Sequence, residues 1–430
     1  MVPTLRGILL AVCGFIPIVL WQSWVTLVIC TVGCAILLLA DVLATPRTRR
    51  LAVTRQLPSQ VSLGNTIHGQ LLITNPTGRT LHLLLRDAWN PTAGINPHRA
   101  ALTIPARERR AVSQEFTPTR RGMHSSHAIG VWIRGPLGLT RRTGKLTVPG
   151  TLIALHPFAS RRHLPSRLRR LREIEGLSAV HTRGQGTEFD SLRDFVDGDD
   201  VRSIDWRATA RRRHVVVRTW RPERDRRILI VVDTSRTSAV RIGDVPRFDA
   251  LLDAALLLTA LAIQAGDRVD LIGVDRITHL SVSGSSPSTV LSDMVHATAS
   301  VQPALVETNW DLVAREVERR TRPGTLVVLL TGLDVAAAEN GVLAVTDRIV
   351  AHHPVIVASA KDPVLDELST HRDDIDQVYR AASAEIGLHA REVMGEMLMR
   401  RGCLVADKSP DDLPCYVADL YIALKAQGKL

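Results

Sequence analysis

The chain opens with an almost unbroken apolar run from Leu5 to Ala40, interrupted at Trp21-Gln22-Ser23-Trp24. As a single helix this run would be roughly 54 Å long at about 1.5 Å per residue, far more than a hydrocarbon core of about 30 Å. The pattern predicts a helical hairpin, about 5–21 and 24–40, turning where two interfacial tryptophans flank two polar residues. Each span is slightly short, so a thin bilayer or snorkelling ends must help. Arg6 precedes the hairpin and Arg47, Arg49 and Arg50 follow it, so the positive-inside rule puts both ends in the cytoplasm. A cleaved signal peptide fits less well, because the run is too long and lacks a small-x-small site.

After residue 45 the period changes twice. From Leu51 to about His156, short alternating stretches such as HGQLLITN and TLHLLLRDAW are separated by Gly, Pro and Asn turns, which predicts an antiparallel β-sandwich. From Ile228 onward RRILIVVDTS, DRVDLIGVD, GTLVVLLTG, HPVIVASA and GCLVADKSP read as buried strands, most of them separated by helical segments. FDALLDAALLLTALAIQAGD is apolar nearly all round and closes with Gly266, as a helix buried against a sheet would. The expected fold class is therefore multidomain. A transmembrane helical hairpin (1–45) leads to a β-sandwich (46–156), an Arg-rich connector (157–227) and a doubly wound, Rossmann-like α/β domain (228–430).

Charge sharpens this picture in the connector. The whole chain carries 54 Lys+Arg against 43 Asp+Glu, a net charge of +11. Residues 151–227 alone hold 18 arginines, 11 acids and no lysine. Guanidinium forks pair bidentately with carboxylates or phosphates, so the arginine preference points to specific pairing. Five cysteines form neither a metal spacing nor a disulfide framework, which fits a reducing compartment.

Ligands of doubly wound sheets collect at the carboxyl ends of the strands. The first strand ends in VVDTSRTS, placing Asp233, Ser235 and Thr237 just past its tip. A carboxylate and two hydroxyls on alternate residues suit a hard cation such as Mg²⁺. Capping of the next helix by Asp233 and Ser235 is the alternative. Upstream, GTEFDSLRDFVDGDDVRSIDWRATARR crowds acids and arginines around Leu192, Ile204 and Trp206. Its carboxylates lack an H-E-x-x-H, G-x-S-x-G or phosphate-loop companion, so no enzyme is expected; a hydrolase or nuclease using residues 188–212 is the alternative. GLTRRTGK, residues 138–145, has the wrong glycine spacing and Leu146 where a phosphate loop needs Ser or Thr. Aromatics are few among the arginines and acids offset them, so nucleic acid is not an expected partner. The motif is expected to pair Asp199 or Asp200 with Arg202 or Arg207 and to brace the connector against the sheet, with direct partner contact as its other role.

That motif closely resembles the bacterial "domain of unknown function 58" family. The residues that carry the match include Glu188, Phe189, Arg193, Gly198, Asp199, Asp200, Arg202, Asp205, Trp206 and Arg211, with Phe195 at a usual Tyr. RRG at 120–122, GPLGL at 135–139 and the closing YIALKAQGKL resemble the same family. The resemblance implies a membrane-anchored protein with a von Willebrand factor A-like domain that works with a MoxR-type AAA+ ATPase, or its client, in assembly or maturation. VVDTSRTS likewise resembles the metal-ion-dependent adhesion site of that domain. This implies Thr308 and Asp334 as further ligands beside Asp233, Ser235 and Thr237, although Gly332 stands where the family usually has Asp.

Overall fold

The computed structural model describes residues 2–181, 188–196, 199–221, 226–284, 286–334 and 341–430. The chain divides into two compact units, Met1–Pro157 and Phe158–Leu430. The hairpin and the sandwich share the first unit, and the connector belongs to the second.

In the first unit a short strand, β1 (Val2–Pro3), leads into helices α1 (Leu5–Leu20) and α2 (Trp24–Ala44). Thr4 caps α1 by accepting from the Gly7 N–H, and Ser23 caps α2 by accepting from Val25. The outward side chains of both helices, among them Phe15, Trp21, Trp24 and Ile29, are exposed. By length and composition α2 could cross a membrane, and α1 is a shorter apolar helix. The turn falls where expected, but α2 runs four residues beyond the predicted end, which brings Asp41 into its last turn.

The sandwich follows: β2 (Ala52–Gln56), β3 (Gln60–Ser62), β4 (Ile67–Thr74), β5 (Leu81–Asp87), β6 (Ile95–Asn96), β7 (Arg99–Ile104), β8 (Arg109–Phe116), β9 (Gly122–Arg134) and β10 (Thr140–Leu155). One sheet runs β1-β10-β9-β5-β7 with β3 joining β10; the other runs β2-β4-β8-β6. Alternation along β4, β5 and β9 buries Leu71, Ile73, Leu83, Leu85, Ile129, Val131 and Ile133 between the sheets.

The base of the hairpin is fixed to the β9–β10 turn. Asp41 is fully buried there. Its Oδ1 accepts from the Leu137 N–H at 2.8 Å, and its Oδ2 accepts from the N–H groups of Leu139 at 3.1 Å and Thr140 at 2.7 Å. Thr4 adds a backbone bond to the Leu139 carbonyl at 2.9 Å and a hydroxyl bond to that of Gly138. A Cβ on Gly135 would lie 2.3 Å from Asp41 Oδ2, so the close approach requires glycine.

The second unit begins with the connector, whose described residues form helices and strands. It contains α3 (Leu164–His181), β11 (Glu188–Asp194), α4 (Trp206–Arg212) and β12 (Val216–Arg221), with β11 and β12 paired antiparallel. Then come β13 (Arg227–Asp233), α5 (Arg236–Ala239), β14 (Arg241–Ile242), β15 (Val245–Pro246), α6 (Arg247–Gln264), β16 (Arg268–Val274), β17 (Thr278–Val282), α7 (Val290–Ala299), α8 (Trp310–Arg320) and β18 (Leu326–Leu330). The chain ends with α9 (Val342–Val350), β19 (Val355–Ala360), α10 (Pro363–Thr370), α11 (Ile375–Arg400), β20 (Leu404–Lys408) and α12 (Leu413–Ala426).

All five expected strands form, in the order β17-β16-β13-β18-β19-β20. The pairs are parallel except β16–β17; that antiparallel edge strand was not foreseen. Ile228, Ile230 and Val232 face a core shared with α3, α6, α7 and α12. Leu229 and Val231 face the opposite core, shared with α8, α9 and α11. Helices thus cover both faces, and α6 is buried nearly all round against the sheet.

Candidate functional site at the Asp233 loop

Strand β13 lies at the sheet's centre, between β16 and β18, where the connections reverse direction. The crevice beyond that switch point is where such sheets bind ligands. Asp233 ends β13 there and is 3% exposed. Its Oδ1 accepts from the Ser235 N–H and the Thr308 hydroxyl, both at 2.8 Å. Its Oδ2 accepts from the hydroxyls of Thr237 at 2.5 Å and Thr331 at 2.7 Å. Ser235 Oγ lies 3.2 Å from Thr237 Oγ1 and caps α5, so the loop has both the capping geometry and the oxygen cluster.

Thr308 reaches Asp233 from a distant loop, held by backbone bonds from Ala304 to the Thr234 carbonyl and from Arg236 to the Val306 carbonyl. Asn309 then caps α8 by accepting from Leu312. Four of the five expected ligands are therefore together, and Thr331 joins them. Thr331 stands in the GTLVVLLTG stretch, directly before Gly332, so the signal was present in the sequence.

Asp334 departs from expectation. Its carboxylate is held by two arginines, Arg247 Nη1 at 2.6 Å and Arg391 Nη1 at 2.7 Å, whose side chains are each 4% exposed. Burial alone would push the Asp334 carboxyl up, but the adjacent Arg247 and Arg391 guanidiniums outweigh it and hold the carboxyl below the ordinary aspartate range. Arg391 also forks onto Asp407 at 2.5 and 3.0 Å. Arg247 Nη1 donates to the Thr237 carbonyl at 2.9 Å, and a Cβ on Gly332 would lie 2.6 Å from the same nitrogen. A guanidinium thus occupies the neighbourhood of the missing carboxylate. Nothing in the local sequence flagged Arg247 or Arg391, which reach this edge from α6 and α11.

One carboxylate and the neighbouring hydroxyls of Ser235, Thr237 and Thr308 form a donor set that fits a hard cation keeping most of its waters. Asp334, already neutralised by guanidiniums, does not join that set. Among the described residues no group of three or more His, Cys, Asp or Glu side chains is placed to hold a metal.

The acid and arginine motif is organised differently from expectation. Arg193 forks onto Asp199 at 2.7 and 2.5 Å, and Asp199 also accepts from the Val196 N–H at 2.9 Å. The Arg193 hydrogen bond, followed by that backbone contact, lowers the Asp199 carboxyl. Asp200 accepts from the Arg202 N–H at 2.9 Å. Asp205 caps α4 by accepting from Arg207 and Ala208, and its other oxygen accepts from Arg218 Nε at 2.9 Å. The Ala208 N–H and the Arg218 side chain lower its carboxyl. The expected side-chain pairs with Arg202 or Arg207 are replaced by these, and Arg202 and Arg211 are exposed. Trp206 is 68% exposed, so it does not brace the connector against the sheet. The side chains of Glu188 and Phe189, and Gly198, lie outside the described residues.

The sheet order and the Asp-x-Ser-x-Thr loop at its switch point define a doubly wound α/β domain with an oxygen-rich loop at its ligand-binding edge. Residues 191–371 match the family described as protein of unknown function DUF58. The uncharacterized protein YeaD of Bacillus subtilis is 26% identical over 129 residues, 30% of this chain and 32% of that relative. The match therefore spans about a third of that relative's length. The uncharacterized protein Rv1480 of Mycobacterium tuberculosis is 27% identical over 49% of this chain and 73% of its own. Among solved structures, the SpRpn10 VWA domain is 10% identical, covering 45% of this chain and 94% of that domain with a TM-score of 0.30. The CARDB domain of PF1109 from Pyrococcus furiosus is 16% identical over 23% of this chain and 86% of its own, with a TM-score of 0.16.

Proposed function

We propose that this protein is a non-enzymatic scaffold or adaptor, anchored in the cytoplasmic membrane by both apolar helices, with its folded units in the cytoplasm. Its A-like domain binds a protein partner at the Asp233 loop, and the partner is a MoxR-type AAA+ ATPase or that ATPase's client. The observation that carries this reading is the gathering of Asp233, Ser235, Thr237 and Thr308 at the switch point of the sheet. Mg²⁺ held by those four residues would supply a Lewis-acidic point of attachment for a partner carboxylate. The non-enzymatic part is supported by three acids of the motif, Asp199, Asp200 and Asp205, each engaged in a cap or an arginine pair. Exposed Val196, Val201 and Trp206 supply apolar contact area on the same segment.

Pull-down of the MoxR-type ATPase and its clients tests this reading with wild type, Asp233→Ala and Trp206→Ala, each with and without chelator. Loss of capture in Asp233→Ala and in chelator is the expected result. Capture unchanged in every arm removes the Asp233 site from partner binding. Trp206→Ala is expected to fold with stability within about 0.5 kcal/mol of wild type, as exposed substitutions do, and to weaken capture.

A further inference from the structure

The outer face of the sheet formed by β5, β9 and β10 carries positive charge in cross-strand register. His82 lies opposite Arg134, and Arg134 lies opposite Arg141. Directly opposite residues share a face with Cβ atoms about 4.5–5.5 Å apart, where like charges destabilise the sheet. Four residues along each strand, on the same face, Arg86, Gly130 and Lys145 repeat the alignment. Trp132 fills the space between the two rows, and a Cβ on Gly130 would lie 3.2 Å from its ring. The residues between the rows on β5 and β10 are Leu84 and Thr143, so no acid alternates onto this face of the three strands. Neither Arg134 nor Arg141 forms an ion pair among the described residues, and the His82 ring is bonded to the Thr103 hydroxyl at 3.0 Å.

The position of this row gives it a partner. Arg134 and Arg141 flank the turn that Asp41 and Thr4 fasten to the base of the apolar hairpin. Leu137, at the tip of that turn, is 51% exposed. With the hairpin in a bilayer, as in the function proposed above, the row stands at headgroup level. We propose that Arg134 and Arg141, with His82 beside them, bind the phosphate of an anionic lipid headgroup. A phosphate between the two guanidiniums turns a repulsive row into a bridged one, and guanidinium forks match phosphate oxygens bidentately. Trp132 is the interfacial aromatic beside it.

The test uses the full chain in nanodiscs of phosphatidylcholine, with and without phosphatidylglycerol, and reads the melting temperature. Wild type should melt higher with phosphatidylglycerol. The Arg134→Gln/Arg141→Gln double variant should lose that rise, yet melt no lower than wild type in phosphatidylcholine alone, because its repulsion is gone. Equal rises in both proteins overturn the lipid site. A full rise from inorganic phosphate in phosphatidylcholine discs also overturns it, by assigning the effect to the free anion. Flotation with the same lipids reports on the hairpin separately. Wild type that fails to float overturns the membrane reading and the lipid site with it, whereas floating protein with equal rises overturns the lipid site alone.

Discussion

Asp41 Oδ2 accepts from both the backbone N–H and the hydroxyl of Thr140, each at 2.7 Å, across 99 residues of chain. The bond ties the last turn of an exposed apolar helix to the first residue of a sandwich strand. Asp41→Ala would strand the N–H groups of Leu137, Leu139 and Thr140 in a buried site, and an unsatisfied buried donor costs about 1–3 kcal/mol. A loss on the order of 3 kcal/mol is expected after partial rearrangement, measured by thermal unfolding in detergent. Gly135→Ala should also destabilise, because its Cβ would meet Asp41 Oδ2 at 2.3 Å. In an Asp41→Ala background the same change should cost little, since the clashing carboxylate is gone, and the double-mutant cycle reads that coupling directly.

The oxygen cluster around Asp233 makes a prediction about Mg²⁺. A ligand that binds the folded state alone raises stability in proportion to the logarithm of its concentration over Kd. Wild type is expected to melt higher as Mg²⁺ is added and to return to its starting value with chelator. Asp233→Ala should show no response, and Thr308→Val a reduced one. Asp334→Asn should respond like wild type, because its carboxylate is engaged by Arg247 and Arg391. Equal responses in wild type and Asp233→Ala would remove the metal from the site.

How much of this was legible in the sequence depended on how local each signal was. The strand that delivers Asp233 is a continuous apolar run, and its loop follows at fixed spacing, so Ser235 and Thr237 could be placed without a fold. Thr308 and Asp334 came only through a resemblance, and the structure separates them: Thr308 reaches Asp233, and Asp334 turns to arginines. Those arginines sit 87 and 57 residues from Asp334 in the chain, where no periodicity reports their pairing. The same limit explains Trp206. A tryptophan among charges reads as buried, yet its exposure is set by how β11, α4 and β12 fold on one another. Edge strand β17 escaped because THLSV is short and follows β16 through a brief turn.

Lys425 and Asp267 form an ion pair at 3.1 Å whose side chains are 2% and 3% exposed, and Tyr421 donates to the same carboxylate at 2.6 Å. Removing one partner of such a pair leaves an uncompensated buried charge and costs about 3–5 kcal/mol. Lys425→Met should therefore destabilise by about that amount in urea unfolding. Lys425→Met combined with Asp267→Asn should recover most of the loss, because the neutral amide keeps an acceptor for Tyr421. A double variant no more stable than Lys425→Met would show that the packing of the lysine stem, not the stranded charge, sets the cost.

Two carboxyls, half-buried Asp334 and buried Asp267, pull the pH dependence of stability in opposite directions. For Asp334, burial raises and the Arg247 and Arg391 guanidiniums more than compensate, so its folded value lies below the ordinary 3.8. Its contribution is present above about pH 3.8 and is lost as pH falls through that lower folded value. For Asp267, burial dominates over Lys425 and Tyr421 and its folded value lies above 3.8. Its contribution is greatest below about pH 3.8 and declines as pH rises towards that higher value. Asp334→Asn should flatten the acid limb below about pH 3.8 while leaving the slope above it unchanged. Asp267→Asn should do the reverse, removing the slope above and sparing the limb below. Unfolding free energies of the α/β unit's transition, followed in urea from acid to neutral pH, separate the two, and an acid limb identical in Asp334→Asn and wild type would show that the paired arginines do not hold that carboxyl down.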